Sequence, residues 1–471
     1  MHTPAPTPTQ DSLNFYLDIF GQQPGLQTYT QICLCFSISD ASSHSAIINT
    51  LTNGLERLST SFPWVAGQVV NEGASKGNTG VYKIKPLDRT PRLVVRDLRN
   101  DLSIPTMDDM RRANFPISML DEAVFAPRNT YPGTSGEPPS DTTPVFLIQA
   151  NFITGGLLLT FVGEHQTMDM TGQAQVIRLL AKACRNENFT SEELSWGNRS
   201  RRDIIPLLDD SYELGSEIAH RNKKPTPSHP ISGSTNGSPT LAPPPPKCIR
   251  ANFSFNPTSV VALKSLATET ISSSYISTDD ALSAFIWKSV IRARLPRLNP
   301  TSKSTLARAV DLRRYLDIPQ TYTGIVADLI YNTHTIQKLI DEPLGILASQ
   351  FRLGVDPKTS NLGFSTRALA TTLSRSTDKS ANFVTATMDS SSSDTILSSW
   401  ARENFYEMDF NLGLGKPESV RRPQFSLVEG LMCILPRRLD GELTVVICLR
   451  DEDMERLRTD EEFAKYGKYI G

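Results

Sequence analysis

Between positions 157 and 162 the chain does not alternate polar with apolar. The run Leu157-Leu158-Leu159-Thr160-Phe161-Val162 reads as a strand buried on both faces. Gly163 breaks the run, and His165 stands where the chain leaves it. From Gly172 the period becomes helical. Val176, Ile177, Leu179, Leu180 and Ala183 form one stripe, with Arg178, Lys182 and Arg185 elsewhere on the surface, so a helix is predicted over 172–185. Residues 145–152 read as a second strand, joined to the first by Gly155-Gly156 in a hairpin.

The same reading covers the rest of the chain. Residues 29–39 are β-prone. Residues 41–61 form an amphipathic helix carrying Ile47, Ile48, Leu51, Leu55 and Leu58, ended by Phe62-Pro63-Trp64. Strands are expected over 65–70 and 92–95, and a surface loop over 127–144. Residues 222–247 are dominated by Pro, Ser, Thr and Gly and cannot bury enough apolar surface to fold alone. They predict a crossover linker, stiffened by Pro243 to Pro246. Beyond it come a strand at 248–255 and a helix opened by Asn256-Pro257 and running to 267. A second helix is capped at Thr278-Asp279-Asp280, with Ala281, Phe285, Ile286 and Val290 inward. A strand at 307–310 delivers Asp311 and Arg313. A loop over 316–331 and a helix over 341–353 follow. Strands at 385–388, 432–435 and 443–449 precede a charged helix over 451–466. Two α/β domains are therefore expected, 1–221 and 248–471, with a cleft between them as the ligand site.

Composition narrows the function. The 471 residues exceed one ordinary core. Forty-eight basic against fifty acidic residues leave a net charge of -2, which argues against a general affinity for nucleic acid or anionic membrane. The short basic clusters Arg201-Arg202 and Arg421-Arg422 read as solvated faces. Six cysteines form no CxxC and no zinc pattern, as expected of a reduced cytoplasmic protein. Residues 1–10 have no apolar core for a signal peptide, and no run reaches the roughly 18 apolar residues of a membrane span.

The chemistry concentrates in His165-x-x-x-Asp169. A neutral imidazole can take the proton of an alcohol attacking a carbonyl. Asp169 could face His165 only across a helical turn; otherwise it points away and anchors the loop by pairing with an arginine. The plain alternative is a satisfied core histidine, which composition alone favours. A metal site is not expected, because His2, His44, His220, His229 and His334 lie outside ligand spacing. The second unusual stretch is Asp409-Phe410-Asn411-Leu412-Gly413-Leu414-Gly415-Lys416-Pro417. Its glycines permit unusual backbone conformations. It lacks the Walker pattern, so a structural turn is the default.

Taken together, the two stretches resemble the BAHD superfamily of acyl-CoA-dependent acyltransferases, which carry HxxxD near mid-chain and DFGWG toward the end. Within it the chain is similar to the fungal trichothecene 3-O-acetyltransferases. That likeness is carried by Phe62-Pro63-Trp64-Val65-Ala66-Gly67-Gln68-Val69, by 277–289 (STDDALSAFIWKS), by Val420-Arg421-Arg422-Pro423 and by 449–454 (LRDEDM). The resemblance implies two chloramphenicol-acetyltransferase-like domains with a tunnel between them. Acetyl-CoA would be a co-substrate, with no permanently bound cofactor, and the acceptor a terpenoid alcohol, bound by a monomer.

His165 would be the general base, and no acyl-enzyme would form. Asp169 would pair with Arg308 or Arg313, and Asp409 with the other. Tyr406, Asn411, Leu412, Gly413 and Leu414 are candidate acceptor or tunnel residues. Asn411 departs from the branch, which has Gly there; Asn tolerates a positive φ better than most residues. Two rivals keep the fold: transfer to another fungal alcohol, and an inactive ligand-binding relative. A peptide-condensation domain carries two adjacent histidines, whereas Glu164 precedes His165 here.

Overall fold

A three-residue strand near the C-terminus, Ser419–Arg421, forms the edge of a sheet otherwise built from the first third of the chain. That sheet runs Ser419–Arg421, Tyr29–Ser37, Gly156–Glu164, Phe146–Ile153, Arg92–Asp97. Only its last pair is parallel. The second sheet runs Ala327–Thr335, Lys303–Asp311, Thr395–Ser399, Leu431–Ile434, Leu443–Arg450, Cys248–Phe255, Lys468–Tyr469, with Thr395–Ser399 parallel to both neighbours. A small third sheet joins Phe15–Tyr16, Val81–Pro86 and Gly67–Glu72. The computed structural model describes residues 14–39, 43–134, 140–215, 217–218, 246–380 and 393–471. The expected signal-free start at 1–10, most of the 222–247 linker and the expected strand at 385–388 lie outside the described residues.

The apolar run sets the first core. Every residue of Gly156–Glu164 is buried. Phe146 pairs with Gly163 and Ile153 with Gly156, closing the hairpin at Gly155, whose φ of +79° suits glycine. Ile32, Leu34, Phe36, Leu157, Leu159 and Phe161 pack in one cluster with the helices His44–Ser61 and Met170–Cys184. Each such side chain contributes about 1.5–3 kcal/mol when fully buried. Tyr406, Phe410, Leu412 and Val420 enter the same cluster. Phe410 stacks on Phe161 at 5.6 Å and meets Phe36 edge-on at 6.5 Å. The late part of the chain thus folds back onto the early sheet.

Several expectations are corrected. Residues 63–66 form a 3-10 turn before the strand Gly67–Glu72, because Pro63 fixes φ at a helical value. The helix Thr278–Arg294 is capped by Ser277, which exchanges hydrogen bonds with Asp280 in a capping box. The expected loop over 316–331 ends in the strand Ala327–Thr335, a sheet edge of half-buried residues without clear alternation. The helix expected over 341–353 begins only after Pro343, as Leu344–Val355, and a separate short helix, Ile336–Asp341, precedes it. The terminal helix breaks at Asp460, and its tail adds the strand Lys468–Tyr469. The helix Leu362–Arg375 has no counterpart in the sequence reading. Arg201 and Arg421 are buried, not solvated, while Arg202 is exposed. All six cysteines are free. Among the described residues, no helix is long and apolar enough to cross a membrane. None of their His, Cys, Asp and Glu side chains cluster as a metal site would require.

Candidate active site

His165 is held at its backbone and at one nitrogen of its ring. Its backbone N–H donates to the Thr28 carbonyl at 2.8 Å, which pins it beside the neighbouring strand. Its Nδ1 lies 3.1 Å from the Met168 carbonyl oxygen. A carbonyl only accepts, so the proton sits on Nδ1 and Nε2 keeps a free lone pair. Burial holds the imidazole below its ordinary pKa of 6.5, against the Met168 carbonyl and Asp169, which pull the other way. The ring is therefore neutral and basic at Nε2 near neutral pH.

Asp169 faces away from that nitrogen. It caps the helix Met170–Cys184, accepting the Gly172 N–H at 2.8 Å. Its carboxylate takes two bonds from Arg313, at 2.9 and 3.0 Å, and the Val326 N–H at 2.8 Å. Arg313 is fully buried and also donates to Asp311 at 2.9 Å and to the Gly324 carbonyl at 2.8 Å. A buried pair of this kind holds only when all its polar partners are satisfied. The result fixes the turn that carries both His165 and the Met168 carbonyl. The helix begins two residues before the expected 172, and Asp-Met-Thr-Gly ahead of an apolar stripe is the N-cap signal that places it there.

Glu164, which the sequence marks only as the residue ahead of His165, takes part in holding the same turn. It is fully buried and accepts the Thr167 N–H at 3.1 Å. Its other oxygen has no partner among the described residues. Burial pushes its carboxyl up to about 8, so it is protonated at neutral pH and supplies no negative charge to His165.

The second motif is a turn. Asp409 accepts the Asn411 N–H at 2.8 Å, and its carbonyl accepts from Arg185. Asn411 has φ +53° and Gly413 φ +74°, so the position where the branch has glycine does require the left-handed region. The expected pairing of Asp409 with Arg308 or Arg313 is corrected: its carboxylate is exposed and accepts from its own loop, and the cation nearby is Arg185. Arg308 instead lies 3.7 Å from Asp280, over the Phe351 ring at 4.5 Å. The sequence marks Asp280 as part of a helix cap, and nothing in it signals the second role as an arginine partner. Of the acceptor candidates, Tyr406 and Leu412 are buried in the first core, and the Tyr406 hydroxyl accepts the Val420 N–H at 3.0 Å. Leu414 packs against that core, while Asn411 and Gly413 are exposed.

Comparison with known proteins follows the same lines. A family model described as the trichothecene 3-O-acetyltransferase-like N-terminal domain matches residues 28–184, and the Transferase family model matches residues 125–464. An O-acetyltransferase, dmxR13, from Cryptosporiopsis sp. is 55% identical over 98% of both chains. The trichothecene 3-O-acetyltransferase TRI101 of Fusarium sporotrichioides is 49% identical over 98% of both. The crystal structure of F. sporotrichioides TRI101 complexed with coenzyme A and T-2 superimposes with a TM-score of 0.88 at 48% identity, covering 98% of this chain and 100% of that one. Matched along nearly its whole length in sequence and in fold, the chain belongs to the Transferase family, in its trichothecene 3-O-acetyltransferase-like branch.

Proposed function

We propose that the protein transfers the acetyl group of acetyl-CoA to the C-3 hydroxyl of a trichothecene, in self-protection or biosynthesis. The observation that carries this reading is the His165 ring, whose Nδ1 proton is committed to Met168 and whose Nε2 is free. The alcohol proton passes to Nε2 as its oxygen attacks the thioester carbonyl carbon. The tetrahedral oxyanion collapses, the C–S bond breaks, and the imidazolium returns its proton to the CoA sulfur. An ester and CoA result, with no acyl-enzyme. Asp169 and Arg313 position the base and do not touch substrate. The likeness to a relative solved with coenzyme A and T-2 supports the choice of both substrates.

The protein works as a cytoplasmic monomer on small-molecule substrates, with no permanently bound cofactor. Its two units, 1–221 and 248–471, are joined by 222–247, and the substrates meet between the sheets. A second reading keeps the base and changes the acceptor to another fungal alcohol. The 55% identity to a relative named only as an O-acetyltransferase favours it.

Purified protein, with His165→Ala alongside, is assayed for thiol release from acetyl-CoA with a trichothecene bearing a free 3-hydroxyl. Wild-type release with a product heavier by one acetyl group, lost in the variant, is expected. Release only with other alcohols would select the second reading. Silence with every alcohol, in folded protein that binds CoA, would leave an inactive relative.

A further inference from the structure

The basic pair Arg201-Arg202 reads from sequence as a solvated cluster, and the fold divides it. Arg202 is exposed, while Arg201 is 3% exposed in an irregular stretch after the helix Ser191–Gly197. No repeating structure draws Arg201 inward. Its guanidinium lies over the Trp64 ring at 4.3 Å, and the Trp64 indole is itself fixed by donating to the Gly197 carbonyl at 2.8 Å. Stacking on a buried ring sets the plane of the fork. A guanidinium does not shed its proton to escape burial, so burying one is costly unless it is paired.

Its partners are the Thr167 carbonyl, to which Nη1 donates, and the Asp18 carboxylate, 3.8 Å from the same nitrogen. Thr167 lies two residues after His165 and one before Met168, whose carbonyl takes the Nδ1 proton. The Thr167 N–H donates to the Glu164 carboxyl at 3.1 Å, and its hydroxyl to the Glu164 carbonyl at 2.6 Å. The carbonyl is therefore the polar group of Thr167 that the turn does not satisfy itself, and Arg201 reaches it from 34 residues away. Met168 stands between two anchors. Arg201 holds the residue before it, and Arg313 holds Asp169 after it. Turning the Met168 carbonyl away from the ring requires one of the two to give.

Both anchors rest on the same segment of the second half. Asp18 accepts the Ile325 N–H at 3.1 Å and the Tyr322 hydroxyl, and Asp169 accepts the Val326 N–H at 2.8 Å. Two buried carboxylates of the first half thus take consecutive backbone N–H groups of the second, each faced by a buried arginine. The approach is close: a Cβ at Gly324 would lie 2.5 Å from the Asp18 carboxylate.

We propose that Arg201 is a positioning residue for His165, holding the Thr167 carbonyl and, through Asp18, tying the turn that carries the base to the chain at 322–325. The inference rests on the acetyl-transfer reading above, in which His165 takes the alcohol proton. Arg201 acts through His165 and not on the substrate. Without it both substrates still bind, but the Nε2 lone pair is misdirected.

The test is steady-state kinetics of full-length wild type, Arg201→Met and Arg201→Lys, using whichever alcohol the wild type acetylates fastest. Rates are counted per CoA-binding site, with the number of sites and the CoA affinity measured by calorimetry, so that a partly unfolded preparation does not pass for a slow one. Methionine fills the space and removes the donor and the charge. It should lower kcat by about 10–100-fold, as a small misplacement of a catalytic group does. KM for the alcohol and CoA affinity should stay within about twofold, because ground-state binding is untouched. Lysine keeps the charge and a donor, and should return kcat to within about fivefold of wild type.

A residue that only stabilises the fold would lower the melting temperature and the number of sites and leave kcat per site unchanged; that result would overturn the proposal. So would a raised KM with kcat intact, or a lysine variant as slow as the methionine one. Should Arg201→Met not fold, Arg201→Gln and Asp18→Asn, which weaken the same tie from either end, take its place, and kcat per site must fall in both. A wild type that acetylates no alcohol removes the acetyl-transfer reading and this role together. An active wild type with a normal Arg201→Met removes this role alone.

Discussion

At the scale of single residues, the proposed base and the groups that hold it still are different side chains. Asp169→Asn tests the holding role. Asparagine remains a good helix cap, so the change isolates the ion pair with Arg313. Removing one partner of a buried pair leaves the other uncompensated, at about 3–5 kcal/mol. Urea unfolding should show a loss of that size; a loss under about 1 kcal/mol would mean that Asp311 and the carbonyls alone satisfy Arg313. Glu164 gives a prediction of pH dependence. Its folded pKa, about 8, lies above its ordinary 4.5, so between those values the folded state holds a proton that the unfolded chain has released. Its contribution is full below about 4.5 and is lost as pH rises through about 8. Glu164→Gln keeps the shape without the titration. Its melting temperature relative to wild type should therefore rise between pH 6 and pH 9. A difference that stays flat would place the titration elsewhere.

At the scale of elements, the position of the proposed base depends on how closely the helix Met170–Cys184 approaches the chain at 322–324. A Cβ at Gly172 would lie 2.3 Å from the Thr323 carbonyl oxygen and 2.9 Å from that of Gly324. Backbone cannot yield as a side-chain tip can. Gly172→Ala should therefore cost about 1–3 kcal/mol as an overpacked contact. It should also lower kcat, because the helix start carries Asp169. A variant with wild-type stability and rate would show that the loop moves freely.

Much of this was legible in the sequence. The apolar run at 157–162 and the helical stripe after it have strong, simple periods, and they place His165 at the strand end. The tie from Asp169 to Arg313 was narrowed to two arginines by the resemblance and decided only by the fold. The strand Ala327–Thr335 was not legible, since a half-buried edge leaves no alternation to read. Ser419–Arg421 is too short to carry a pattern, and its burial is what makes Arg421-Arg422 something other than a solvated cluster. Arg308 shows the same limit, for its partner Asp280 is set by packing and not by spacing.

At the scale of the molecule, the two halves are interleaved more deeply than a linker between separate bodies would require. Phe410 and Val420 of the second half lie in the first core. Arg313 holds Asp169, Thr171 donates to Glu403 at 2.9 Å, and Asp18 accepts the Ile325 N–H at 3.1 Å and the Tyr322 hydroxyl. Arg111 binds Glu418 at 2.6 Å. Separating the halves would expose Phe161 and Leu34 and strand several buried polar groups, each costing roughly 1–3 kcal/mol when left unpaired. A protease site placed within 222–247 and cut after folding should therefore leave two fragments that co-elute on gel filtration at the size of the intact chain and keep their transferase rate. Fragments that part without denaturant would show that the interleaved contacts contribute little. The base would then owe its position to the first unit alone, and not, as the Asp169–Arg313 pair implies, to the two held together.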